Sequence, residues 1–395
     1  MKRFIYVYAL TLCSGILYAG PSDRIDDLVS EIVSDNIGLK VSEKMVESEK
    51  NAMLSSNNLS DPQLEFSHQW GQFGIGNKWS VGVSQSFEWP GVYSSRNDMM
   101  RSRQASLDIL QKIKIHELRL NARKAILENI YLKQTASLRR DQLTRIDSLI
   151  SVYQKGIEQG EISILDLNKL KIERVNVQRN LVDVINQLNG NIEALTTMNG
   201  GERIREKLEL INDYPDSELL PLDDYINSAM QNDPSLSYNM ALGQSYMYES
   251  RVLNRSLIPG FSLGYTHDYE LGEHFNGISF GLTLPIFSTR HKKKEIDHKS
   301  IANTLEISDK ETEIRSYIRK TYALIVGLNK ELDDYGKALF NIDNFRLLDI
   351  ALSAGHITLV EYLTQSNYFN DASEGYISLS YQRAVAFAEL NQWNN

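Results

Sequence analysis

The chain has 395 residues, with 42 Lys plus Arg against 51 Asp plus Glu, a net charge of −9 and one cysteine. That balance leaves no basic footprint for nucleic acid, and outside the N-terminus no apolar run is long enough to cross a membrane as a helix. No phosphate-binding loop, nucleophile elbow or zinc-protease pattern occurs, so a non-enzyme is expected, with no catalytic residue, metal site or cofactor.

In chain order, Lys2 and Arg3 precede an apolar run from Phe4 to Tyr18 and the small residues Ala19 and Gly20. This is the layout of a secretory signal peptide over residues 1–19. Cys13 lies inside that run behind Leu12, where a lipid-modified cysteine would want a small residue, so cleavage near Ala19 leaves a mature chain without cysteine. Ile25, Leu28, Ile32 and Leu39 then predict a helix over 24–54, with Ser22 or Asp23 as its cap.

From Asp61 to Gly91 the period changes from 3.6 to two. Leu64, Phe66, His68 and Trp70 alternate with Gln63, Glu65, Ser67 and Gln69; after a turn at 71–77, Trp79, Val81 and Val83 alternate with Ser80, Gly82, Ser84 and Ser86. Pro62 and Pro90-Gly91 bound the pair. One apolar face and one face of small polar residues suit a strand pair between lipid and a water-filled lumen, with aromatics at the interface. An ordinary half-buried hairpin would show the same alternation, but the pattern returns. Phe261, Leu263, Tyr265, His267 and Tyr269 alternate with Ser262, Gly264, Thr266 and Asp268, and a return arm places Ile278, Phe280, Leu282, Leu284 and Ile286 against Ser279, Gly281 and Thr283.

A long proline-free helix is predicted over 92–153, broken by Gly156 and Gly160, and a further one over 163–198, ended by Asn199-Gly200-Gly201. A linker over 202–220 follows. The sequence then starts again at an offset near 196 residues: Ile25-Asp26-Asp27-Leu28 is answered by Leu222-Asp223-Asp224-Tyr225, and Gly160-Glu161-Ile162-Ser163-Ile164-Leu165-Asp166 by Gly355-His356-Ile357-Thr358-Leu359-Val360-Glu361. An internal duplication is therefore read, with repeats over 20–201 and 221–395. The second holds predicted helices over 222–254, 288–352 and 357–393.

A 62-residue helix reaches roughly 90 Å, and the two shorter helices of the first repeat match it end to end. Each repeat is thus expected to present paired rods with two strands at one end. Four strands cannot close a membrane barrel, and open edges are not tolerated in lipid. Three chains would supply twelve strands. The expected fold is α+β: a long α-helical barrel plus a transmembrane β-barrel completed by trimerisation, in contact with outer-membrane lipid.

These residues resemble the TolC-like outer-membrane efflux proteins. The likeness rests on Asp61-Pro62, Gln85-Ser86-Phe87-Glu88-Trp89-Pro90-Gly91, Leu284-Pro285-Ile286-Phe287 and the glycine turns at Gly160 and Gly355. The tryptophan-proline-glycine exit is similar to a branch that includes many metal-cation efflux ducts. The resemblance implies a homotrimeric duct in the outer membrane of a Gram-negative bacterium, extending into the periplasm. It also implies a tripartite efflux system with a periplasmic adaptor protein and an inner-membrane pump. The same resemblance places a constricted tip at the glycine turns, with Glu361 and Asp166 at acidic ring positions and Thr364 at a second ring position where the family carries an acid. Gly156, Gly160, Ile162, Ser163, Gly355, Ile357 and Thr358 are the expected adaptor-docking turns; Ile357 stands where some members hold a basic locking residue.

Trp70, Trp79, Phe87, Trp89 and Phe287 are read as membrane-interface anchors. His291 and His298 are two helical turns apart but no carboxylate pattern singles them out, and Arg290-His291-Lys292-Lys293-Lys294 reads as a membrane-edge cluster. Three other readings stand beside the efflux duct. A type I protein-secretion duct shares its architecture; a periplasmic adaptor would need compact all-β domains flanking one helical hairpin; a soluble coiled-coil scaffold or lytic enzyme would lack both alternating arms and the signal peptide.

Overall fold

The computed structural model describes residues 21–72, 74, 76–159, 163–287 and 291–394; the predicted signal peptide, with Cys13, lies outside them. Strands β1 (Gln63–Trp70), β2 (Asn77–Phe87), β3 (Gly260–Glu270) and β4 (Glu273–Thr283) form one antiparallel sheet in that order. The two hairpins are therefore joined through β2 and β3, which leaves β1 and β4 as edges with unpaired backbone groups.

The register carries the sequence pattern across all four strands. Leu64 faces Val83, Val83 faces Tyr265 and Tyr265 faces Ile278; one residue along, Glu65, Gly82, Thr266 and Gly277 form the next row on the opposite face. Because side chains alternate, the apolar residues within the ladder fall on one face and the small polar residues on the other; Leu284 and Ile286 lie beyond it. Phe275 is the bulky exception on the small face. That face is closely packed: a Cβ added to Gly281 would meet Ser262 Oγ at 2.5 Å, and one added to Gly277 would meet Thr266 Oγ1 at 3.0 Å.

The return arm differs from its expected position. It starts at Glu273 rather than 278 and its ladder ends at Thr283, because the chain reverses in two residues, Leu271 (φ 53°) and Gly272 (φ 88°). Two positive φ values make the tight turn whose twist matches that of the strands.

Helix boundaries also differ. The predicted helix over 24–54 is two helices, α1 (Pro21–Asp35) and α2 (Ile37–Ser55), separated at Asn36, whose side chain accepts from Leu39 N at 2.8 Å. The long helix α3 (Pro90–Glu158) continues through Gly156, and α4 (Ile164–Met198) follows; a short α5 (Arg205–Glu209) interrupts the linker. In the second half α6 (Leu222–Asn232) and α7 (Pro234–Arg255) are separated at Asp233, whose carboxylate accepts from Leu236 N at 2.8 Å beside Pro234 at the first helical position. The predicted helix over 288–352 is α8 (Lys292–Phe340) and α9 (Asn344–Ser353), with Asp343 capping the latter. Helix α10 (Leu359–Leu390) ends in a 3₁₀ turn, Asn391–Trp393. Among the described residues no helix is long and apolar enough to cross a membrane.

The chain forms two compact units. One takes its described residues from Met1–Asp35, Ala122–Glu218 and Leu328–Val385, the other from Asn36–Asn121, Leu219–Gly327 and Ala386–Asn395. In the first, Ala136, Leu143 and Ile146 of α3 pack with Val177 and Leu181 of α4. In the second, Tyr225, Ile226 and Ala229 of α6 pack with Ile314, Ile318 and Ile325 of α8 and Phe387 and Leu390 of α10 around Trp393. Each such large side chain contributes about 1.5–3 kcal/mol on burial. The indole of Trp393 donates to Asp233 Oδ2 at 3.0 Å, so the residue that caps α7 also fixes the end of α10.

Candidate channel constriction at the helical turns

Both predicted acidic positions lie in the first turn of a helix, Asp166 in α4 and Glu361 in α10, and the chain chemistry there is that of helix capping. Ser163 is the N-cap of α4, its hydroxyl accepting from Leu165 N at 3.2 Å. Asp166 stands three residues on, where a negative charge is favoured by the helix dipole. It pairs with Lys169 at 3.0 Å, and its charge together with burial holds the Tyr153 hydroxyl of α3 above its ordinary pKa, burial being the larger cause. Gly156 is buried within α3; Gly160 and Ile162 lie outside the described residues.

The turn between α9 and α10 is described throughout. Gly355 (φ 73°) follows α9, with His356 N donating to Ala351 O at 2.9 Å and Gly355 N to Leu352 O at 3.0 Å. This pair of bonds closes the C-terminus in a Schellman motif, which needs a left-handed residue at the glycine. Ile357 is half-buried, and Thr358 with Glu361 forms a reciprocal capping box: Thr358 N donates to Glu361 Oε2 at 2.7 Å, Thr358 Oγ1 to the same oxygen at 2.9 Å, and Glu361 N to Thr358 Oγ1 at 3.2 Å. Thr364 is exposed and donates to Val360 O at 2.8 Å within its own helix.

The backbone N–H of Thr358, then its hydroxyl, hold the exposed Glu361 carboxyl below the usual glutamate pKa. A carboxyl whose pKa is depressed on folding contributes stability above its unfolded pKa and loses it as pH falls through the folded one. The start of α10 is therefore expected to exchange amide hydrogens faster as pH is lowered through the range just below the ordinary glutamate value, after correction for intrinsic exchange. Glu361→Gln should remove that dependence; an unchanged pH profile in the variant would exclude the cap as its origin.

Near the turn between α9 and α10 lies a polar group that the sequence pattern does not single out. The Arg145 guanidinium of α3 sits 3.9 Å over the Phe345 ring of α9 and donates to Asn370 Oδ1 of α10 at 2.9 Å. Tyr362 of α10 donates to Asp349 of α9 at 2.8 Å. Burial pushes the Arg145 pKa down and the Tyr362 pKa up. Asn367 of α10 also reaches Glu173 of α4 at 3.3 Å. These contacts tie α3 and α4 to α9 and α10 within one chain. Arg145 stands beside Ile146 in the sequence, and a cation next to an apolar stripe carries no mark of which distant helix it will meet.

Within a single chain each predicted constriction carboxylate thus has a local partner: Lys169 for Asp166, Thr358 for Glu361. Among the described residues no three histidine, cysteine or carboxylate side chains converge as metal ligands would. At the sheet, Trp79 stacks on Tyr269 at 5.7 Å and Phe87 on Phe261 at 5.3 Å, at opposite ends of the apolar face. Trp70, Trp89 and Phe287 are exposed.

Long helices carrying a four-stranded antiparallel sheet with one apolar face, one small polar face and two open edges define the fold of the TolC-like outer-membrane channels. Comparison with solved structures gives that fold directly. The chain is similar to CusC, described in terms of transmembrane channel formation, at 14% identity with a TM-score of 0.73 over 94% of this chain and 91% of that one. It is similar to the Campylobacter jejuni CmeC outer membrane channel at 12% identity and a TM-score of 0.68, covering 94% and 85% of the two chains. Likeness to the open state of the Neisseria gonorrhoeae MtrE outer membrane channel is at 15% identity and a TM-score of 0.67, covering 94% and 88%. No protein-family model and no curated protein matches the sequence.

Proposed function

We propose that three copies of this chain form an outer-membrane channel that serves as the exit duct of a tripartite efflux system, meeting a periplasmic adaptor and, through it, an inner-membrane pump. The observation that carries this reading is the sheet register. Four strands segregate apolar from small polar residues without slipping, yet end in two unpaired edges, an arrangement that lipid tolerates only when neighbouring chains complete the ladder. Exposed apolar residues on the helices support the same assembly: Ile164, Leu165, Ile172, Val175 and Val182 on α4, and Ile301 and Leu305 on α8, are all more than half exposed in the single chain except Val182 at 44%. Such surface suits contact between copies. The similar outer membrane channels add to the reading.

The expected result in mild detergent is a trimer that conducts ions when placed in a planar bilayer. A folded monomer that retains its full strand content by circular dichroism would overturn the reading.

The constriction residues belong to this proposal. Around a threefold axis one Glu361 becomes three carboxylates, and three Asp166 stand in the equivalent turn of the other repeat. Like charges gathered in a narrow passage concentrate cations. Only one oxygen of Glu361 is engaged by Thr358, so the capping role leaves Oε1 to a passing ion. Glu361→Gln with Asp166→Asn is expected to reduce cation selectivity and block by multivalent cations in single-channel recordings while the trimer stays intact. Unchanged selectivity would remove these two residues from the constriction and leave the duct in place.

A further inference from the structure

Just beyond β4 the chain exposes apolar side chains and then cations. Leu284, Ile286 and Phe287 are 59%, 67% and 87% exposed; His291, Lys292, Lys293 and Lys294 follow, all exposed, at the start of α8. The fold gives these lysines little reason to be there. They stand at the end of a 49-residue helix where the dipole disfavours positive charge. Glu295, the acidic residue of that turn, is paired with Lys299 at 2.5 Å, which with Lys292 nearby holds its carboxyl below the ordinary range. Asp297 lies one turn from Lys293 and Lys294, yet among the described residues neither lysine has an ion pair. The first repeat needs no such cluster. Its corresponding residues are Ser95, Arg96, Asn97 and Asp98, and Arg96 is engaged by Glu88 at 2.7 Å and by Asn57.

We infer that Ile286 and Phe287 beyond β4 and Lys292, Lys293 and Lys294 at the start of α8 form a binding site for anionic phospholipid headgroups, in which the two apolar side chains enter the acyl boundary and the three lysines hold the phosphate. Exposed apolar residues followed a few positions later in the sequence by lysines without an ion pair match the depth order of a membrane interface, apolar body inside and cation at the headgroup. Strand β4 ends, and α8 begins, on the side of the sheet where the other helices join it, so the leaflet these residues meet is the one facing the helices. A cation near an anionic surface contributes about a fivefold preference when fully effective. Three such lysines per chain then give a preference for anionic over zwitterionic lipid of tenfold or more at low salt, falling as ionic strength rises. A protein partner with an acidic face would use the lysines but would leave Ile286 and Phe287 without a role.

This inference rests on the membrane-channel reading, and its test separates the two. Trimers released from detergent are titrated with phosphatidylglycerol, with phosphatidylcholine of the same chains, and with glycerol phosphate, and bound molecules are counted by native mass spectrometry. Wild type is expected to retain phosphatidylglycerol at least tenfold over phosphatidylcholine and to hold no glycerol phosphate. K292Q/K293Q/K294Q should lose the preference while still binding both lipids, and K292R/K293R/K294R should keep it. Equal retention of the two lipids by wild type, or an undiminished preference in the glutamine variant, would overturn the headgroup site alone. Retention of glycerol phosphate as strongly as the lipid would reduce it to a free-phosphate site. Retention of no lipid at all would overturn the channel reading together with it.

Discussion

Arginine at Val83 or Ile278 is expected to prevent assembly in the membrane, whereas arginine at Ser80 is expected to be accepted. Val83 and Ile278 belong to one row that crosses the sheet through Leu64 and Tyr265, midway between the aromatic pairs Trp79–Tyr269 and Phe87–Phe261. A row at that depth on the outer face of a barrel meets hydrocarbon, where a cation costs on the order of 2–4 kcal/mol per chain, and a trimer carries the substitution three times. Leu282 faces Phe261 at the end of the apolar band, so Leu282→Arg should cost less, the penalty falling toward the interface. Ser80 lies on the opposite face between Ser67 and Asp268, where an added cation meets lumen water and a carboxylate. The measurement is the yield of detergent-resistant trimer in outer-membrane fractions. A graded loss in the order Ile278, Leu282, Ser80 is the expected result; Ser80→Arg as the most damaging change would invert the facing of the sheet.

The second large effect is on the small face. Gly264 lies between Ser84 of β2 and Ser279 of β4. A Cβ there would run into Ser279 Oγ and come within 3.2 Å of Ser84 Cβ and the Val83 carbonyl oxygen. The hydroxyl can rotate away but the carbonyl belongs to the ladder and cannot. Gly264→Ala should therefore destabilise by about 1–3 kcal/mol, the usual range for overpacking, and Gly264→Val should yield no folded sheet. Adding Ser279→Gly to Gly264→Ala should restore part of the loss, since it removes the closest clash and leaves the other two. No recovery in the double variant, by refolding titration of the reconstituted protein, would mean that the crowding is not what requires glycine.

The sheet could be read from the sequence because its two faces are built from chemically different residues, so the period of two survives over four strands without any knowledge of the partner. The start of β4 could not. Phe275 occupies the small face and breaks the alternation, and Leu271 with Gly272 makes a two-residue turn in which only the glycine is a recognisable turn former. The helix interruptions are marked in the sequence by their capping residues. Asn36 and Asp233 fall at equivalent places in the two repeats, and Asp233 is followed by Pro234, the combination expected of a cap and first helical position. The capping box at Thr358 and Glu361 has the spacing of its motif, so the glutamate's local role could be read alongside the pore role implied by resemblance. Arg145 was beyond reach, because its partners come from α9 and α10, two hundred residues away, and packing between distant helices leaves no local periodicity behind.

The seam between the two hairpins has a consequence for how the chain folds. Each hairpin joins strands only a few residues apart, but Lys78 and Glu270, which face one another across β2 and β3, are 192 residues apart in the chain. Relative to a turn of half a dozen residues this is about five doublings of loop length, adding roughly 3 kcal/mol of closure entropy. The hairpins can therefore form early, while the central ladder waits for intervening helices to shorten the search. Until it closes, β2 and β3 are edges as open as β1 and β4, and a hairpin from another copy presents the same alternating faces to them. Two hairpins with like faces make mispairing between chains the natural hazard of folding, and closing the central ladder within one chain competes directly with pairing to another copy.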